Sequence, residues 1–149
     1  MDMESLPEQV EPIAQVEPIA PAIRVHAGIL KTFSACLFGL LIPGMGHAIL
    51  RKWDRALVFM GSITAMFAFG LFLNARLFNP DFSDIFSILK FIADAGSGLL
   101  YWLCWLRGLG TGAPAAYTYD FGNVFIYTAG LLNMLVVVDA FDIALGRKP

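Results

Sequence analysis

Two stretches of the chain, Ala56–Ala75 and Phe121–Val138, carry no charged residue and are almost wholly apolar. A third, Thr32–Leu50, is equally uncharged but is interrupted by Pro43-Gly44. A run of about 20 apolar residues, wound as a helix, matches the hydrocarbon thickness of a bilayer. Charged residues make up only 15% of the 149-residue chain, against about 25% in a soluble domain, so the surface holds too little charge to face water everywhere. The expected fold class is all-α, an integral membrane bundle of about four transmembrane helices with a disordered N-terminal tail.

The tail is read as residues 1–23. Gln9-Val10-Glu11-Pro12-Ile13-Ala14 repeats at once as residues 15–20, and Asp2, Glu4, Glu8, Glu11 and Glu17 all precede the first basic residue, Arg24. Prolines at this density disfavour helix, and an extended, mobile tail is expected. It lacks the basic start and immediate apolar run of a signal peptide. From residue 25 onward nine basic residues face seven acidic ones, without the dense basic strip that a nucleic-acid partner needs.

Residues 24–149 are expected to form the membrane domain, with helices at about 27–42, 54–77, 85–106 and 121–144. Pro43-Gly44 ends the first, because proline lacks the N–H that continues a helix. Trp53 among Arg51, Lys52 and Arg55 suits headgroup depth. Ser62, Met66 and Gly70, with Gly61 and Ala65, offer small-residue spacing for close helix packing. Lys90 and Asp94 are four apart in the third helix, where they share a face and can pair. Asn123 and Asn133 fall in one sector of the fourth, and Asp139 and Asp142 near its end are followed by Arg147 and Lys148. Lys90, Asp94, Asn123, Asn133, Asp139 and Asp142 are therefore the candidate intramembrane polar residues. With four crossings, basic residues divide five against four between the two faces, which leans toward both termini being cytoplasmic.

The candidate site is the hinge Pro43, Gly44, Gly46 and His47, with the basic residues Arg51, Lys52 and Arg55 that follow. Its backbone amides and imidazole would suit an anionic lipid headgroup at the membrane surface. Alternatively, the hinge only turns the chain, with His47 bonding a free carbonyl at the helix end. Pro43-Gly44-Met45-Gly46-His47 resembles the turn of small bacterial membrane proteins of the TM-two type, although Ala48-Ile49 stands where that pattern has an aromatic pair. Ala129–Asn133, Asp139–Ala144 and Gly146-Arg147-Lys148 look like the end of a bacterial family of uncharacterised four-helix membrane proteins sharing that hinge. The resemblance supports that architecture and implies no activity; the expected location is the cell (inner) membrane, as a multi-pass protein.

An enzyme is not expected. Ser97, between Gly96 and Gly98, with His47 as base is the best catalytic pair, but it has no identifiable oxyanion donor. Asp139 and Asp142 are on one helix, where a proton-sharing pair must converge from two. Cys36 and Cys104 have neither disulfide nor metal spacing, and no cofactor fingerprint is present. The partners expected are the bilayer, anionic headgroups, and a membrane-protein partner or second copy. The other function class is a small transporter or channel component, which with four short helices would have to act as an oligomer.

Overall fold

The computed structural model describes residues 21–148, with side-chain surroundings from residue 29 onward. The acidic tail and its repeat lie outside the described residues, except that residues 21–23 already belong to the first helix. Six helices follow in order: α1 (Pro21–Leu41), α2 (Met45–Ile49), α3 (Trp53–Phe72), α4 (Ile85–Ala95), α5 (Leu99–Leu106) and α6 (Tyr119–Ala144). Among the described residues there is no strand, only an isolated bridge between Arg76 and Thr111.

The two uninterrupted apolar runs became the two long rods. α3 and α6 have 20 and 26 residues and are long and apolar enough to cross a membrane. α3 stops at Phe72, short of the expected residue 77, where Asn74 takes a left-handed conformation (φ 64°). The rods are antiparallel: Gly70 meets Gly122 near one end, and Phe59 lies beside Val136 and Asp139 near the other. A Cβ on Gly70 would stand 2.9 Å from the Gly122 carbonyl oxygen, and one on Gly122 would stand 2.8 Å from that of Gly70. Such close approach supplies the van der Waals packing that holds helices together in lipid.

The other two expected helices are interrupted and fold back on themselves. Pro43 has no N–H to give to the Gly39 carbonyl, so α1 ends there. Gly44 turns the chain at φ 79°, and a Cβ on it would lie 2.5 Å from the Ala56 carbonyl oxygen. α2 then folds back along α1, with Gly46 wedged between Ala35 and Ala140. α1 runs antiparallel to α6, placing Gly39 beside Val137 and the Leu40 carbonyl beside Asn133. This hairpin enters and leaves at the end of the bundle where α6 finishes, and its tip reaches only the middle of α6.

The helix expected over 85–106 is broken at residues 96–98, and its two parts diverge by 105°. Gly98 has φ 67° and ψ −130°, a conformation outside any helix, and a Cβ there would strike the Leu40 carbonyl oxygen. α4 runs parallel to α6, with Ala93 against Gly130 and Gly96 at Asn133. After the break the chain returns to the end it came from. Tyr101 Oη donates to the Phe78 carbonyl at 2.8 Å, Leu77 N–H to the Gly110 carbonyl at 2.8 Å, and Thr118 Oγ1 to the Leu73 carbonyl at 3.0 Å. Two helices thus qualify as membrane spans, or three if the bent pair counts as one. The contacts put both ends of that pair at the same end of the bundle.

Ile63, Phe67, Tyr101, Ile126, Ala129 and Val136 form the buried core. The outer faces are apolar too: Phe33, Phe72 and Leu135 are all at least 65% exposed. A chain that leaves large aromatics and leucines outside from residue 29 onward has an exterior suited to hydrocarbon.

Candidate functional site

The hinge lies inside the protein. Pro43, Gly44, Gly46 and His47 are all buried, so their amides and the imidazole are not offered at the surface as the headgroup expectation required. The reason is steric and local: α2 is clamped between Ala35 and Ala140, and the His47 ring packs on Phe59 with centroids 5.1 Å apart. Nor does His47 bond a helix-end carbonyl. Its Nε2 donates to Asp139 Oδ2 at 3.0 Å, and its buried Nδ1 has no partner among the described residues.

Asp139 joins this buried imidazole to the surface. Its other oxygen, Oδ1, accepts from Lys148 Nζ at 2.7 Å, while Asp142 faces Arg147 at 3.6 Å and Lys148 at 3.8 Å. The bond to Asp139 raises the Lys148 ammonium above its ordinary pKa. Arg51, Lys52 and Arg55 are exposed at the same end. Arg51 closes α2 in a left-handed conformation (φ 61°), with Arg51 N–H bonded to the Ala48 carbonyl and Lys52 N–H to that of His47. Beside the ion pairs is a hollow of 370 Å³ walled by Phe59, Leu132, Leu135 and Val136, with Asp139 and Lys148 also lining it. The basic half of the sequence-derived site is therefore a surface feature, and the Pro-Gly half is its scaffold.

Lys90 and Asp94 do not pair. Asp94 is fully buried and accepts the Phe78 N–H at 2.8 Å, while exposed Lys90 holds its Nζ 5.0 Å from the Phe78 ring centroid. The segment after α3 has come between them, which spacing along α4 alone does not reveal. Asn123 Oδ1 accepts the Arg76 N–H at 2.9 Å. Asn133 Nδ2 donates to the Leu40 carbonyl at 3.2 Å and the Gly96 carbonyl at 2.9 Å, bonding the tips of both hairpins at once. Its buried Oδ1, and Oδ1 of Asp94, have no partner among the described residues. These three side chains bond backbone at breaks in the helices. Ser97 Oγ donates to the Asp94 carbonyl at 2.6 Å, so it is not bonded to His47. Among the described residues no cluster of side chains suits a metal.

Phe78 was not singled out from the sequence, yet its backbone bonds to Asp94 and Tyr101 hold the second hairpin in place. The only local sign was Asn79-Pro80-Asp81, a turn in which Asp81 accepts the Ser83 N–H at 3.0 Å and is held below the usual carboxylate range by it.

Long apolar rods, buried amide and carboxyl side chains bonded to backbone at helix breaks, and an apolar exterior define an all-helical protein of membrane type. The chain belongs to a family of unknown function, DUF6677, which it matches over residues 34–149. That span takes in the hinge, both rods and the ion-paired C-terminus. No curated protein and no solved structure matches the chain.

Proposed function

We propose that this is a non-enzymatic, multi-pass protein of a bacterial inner membrane that holds anionic lipid, or a partner presenting the same charge, at its basic end. The observation that carries the reading is the 370 Å³ apolar hollow with Lys148 on its lining, at the same end as exposed Arg51, Lys52 and Arg55. An acyl chain fits the walls, and a phosphate fits the cations. Each basic side chain near an anionic surface contributes on the order of 1 kcal/mol. The test is lipid retention by the purified protein, read by native mass spectrometry. Phosphatidylglycerol should stay bound to the wild type, and R51Q/K52Q/R55Q should weaken it by about one to two orders of magnitude. Equal retention at low salt would overturn the reading.

The hairpin geometry also bears on orientation. With both hairpins re-entrant, the basic residues from residue 29 onward divide as Lys31, Arg51, Lys52, Arg55, Arg147 and Lys148 at one end, and Arg76, Lys90 and Arg107 at the other. Six against three favours the basic end as cytoplasmic.

A transport role is the second reading, and one feature favours it: the tips of two hairpins that enter from opposite ends meet at Asn133. Broken helices meeting near the midplane are where many transporters bind their cargo. Cation flux into proteoliposomes tests it, and flux equal to that of empty vesicles would dismiss it.

A further inference from the structure

The end opposite the basic cluster has a second hollow, of 280 Å³, between the segment after α3 and the loop after α5. We infer that it binds a phosphate-type oxyanion through Arg76, Asn79 and Thr111, with the Trp105 ring as a wall.

Its framework is heavily bonded for a surface loop. Leu77 N–H donates to the Gly110 carbonyl at 2.8 Å, Ala113 N–H to that of Asn74 at 3.2 Å, and Arg76 N–H to Asn123 Oδ1 at 2.9 Å. Arg76 and Thr111 form a bridge between the two segments. Gly110 sits at φ 72°, where a Cβ would be 2.5 Å from Leu77 Cγ. The hollow is thus held open by backbone.

The chemistry of the lining is one-sided. Trp105 Nε1 donates to Asn79 Oδ1 at 2.6 Å, which occupies the amide's acceptor and leaves its two N–H groups to give. The Thr111 hydroxyl has no partner among the described residues. Arg76 forms no ion pair among them, and its guanidinium lies 5.8 Å from the Phe78 ring centroid. No carboxylate lines the hollow. A guanidinium, an amide N–H pair and a hydroxyl with no acid among them fit an oxyanion, which accepts several donors at once. Asp81, Asp84 and Asp120 stand at the same end, so recognition rests on directed donors, not on net charge. The oxyanion is a lipid headgroup or a free phosphate, either of which the 280 Å³ hollow can admit.

The experiment uses the full chain as W53F/W102F, so that emission reports Trp105 alone. In phosphatidylcholine nanodiscs it is titrated with inorganic phosphate at constant ionic strength, with chloride as the control. A second arm replaces phosphatidylcholine by phosphatidylglycerol without added phosphate. A saturable response to phosphate marks a free-anion site, and a response to phosphatidylglycerol alone marks a headgroup site. In either case R76Q should weaken it at least about tenfold, and R76K, a point charge without the planar fork, should fall between. R51Q/K52Q/R55Q should leave it unchanged, which separates this site from the basic end. No response in either arm, or one that R76Q does not alter, overturns the inference. Arg76 is exposed, and circular dichroism checks that its variants fold.

Discussion

At the scale of single residues, the buried side chains of Asp94, Asn123 and Asn133 serve the places where helices stop. Asn133 shows this most directly, since one amide nitrogen bonds carbonyls from two hairpin tips. Asn133→Ala would strand both acceptors, the Gly96 carbonyl in a fully buried site and the Leu40 carbonyl in a partly buried one. Buried unsatisfied groups cost about 1–3 kcal/mol each, and membrane-protein polar contacts fall near the low end of that range. A loss of roughly 1–3 kcal/mol is expected, read as unfolding in mild detergent. Asn133→Asp should be worse than Asn133→Ala, because a carboxylate would face two carbonyl oxygens. Arg51 points the other way. It holds a left-handed conformation that costs a residue with a Cβ about 1–2 kcal/mol. Arg51→Gly should therefore raise thermal stability while removing one of the surface cations, so stability and lipid retention move in opposite directions.

At the scale of elements, glycine placement decides which faces meet. Gly130 lies so close to the Ala93 carbonyl that a Cβ would overlap it. Gly130→Ala should push α4 off α6 and cost more than about 2 kcal/mol, an overpacking penalty. Gly61→Ala is the control: nothing lies within 4 Å of its missing Cβ, and it should be neutral or slightly stabilising through helix propensity. A thermal scan of both in the same detergent checks the contrast. The sequence had suggested the opposite for Gly61, placing it with Ala65 on a packing stripe. Spacing shows that small residues share a face, but not whether the face is covered. Ser62 also points outward, and of that set only Gly70 is fully buried. Length was legible for α3 and α6, because an unbroken uncharged run has few alternatives. It misled for residues 85–106, since a hairpin of two short apolar helices has the same composition as one long helix. Gly96-Ser97-Gly98 was visible, but as the setting of a catalytic candidate and not as a break. The His47–Asp139 contact was not legible at all, because 92 residues separate the partners and neither half carries a sign of the other.

At the scale of the whole molecule, the chain divides into two similar halves of opposite sense. Each is a hairpin that reaches the middle of the bundle, followed by a rod that traverses it: α1, α2 and α3, then α4, α5 and α6. Arrangements with an in-plane pseudo-twofold recur among membrane proteins. The consequence is topological and separates this architecture from four crossings. With four, residue 52 lies across the membrane from residue 148, and residue 81 lies on the same side as 148. With two hairpins, 52 and 148 share one side, and 81 and 113 share the other. The test uses single cysteines at Lys52, Asp81, Ala113 and Lys148 in a C36A/C104A background, labelled in intact cells by a membrane-impermeant thiol reagent. Positions 81 and 113 should react, while 52 and 148 should react only after the cells are opened. Labelling of 52 from outside, with 81 protected, would restore four crossings and remove the hairpins. It would also undo the six-against-three division of basic residues, because Arg51, Lys52 and Arg55 would then lie opposite Arg147 and Lys148. The Asp139 contacts resist that outcome: one carboxylate binds His47 on α2 and Lys148 beyond α6, and no four-crossing chain brings residues 47 and 148 to the same carboxylate without returning α2 to the end where α6 finishes.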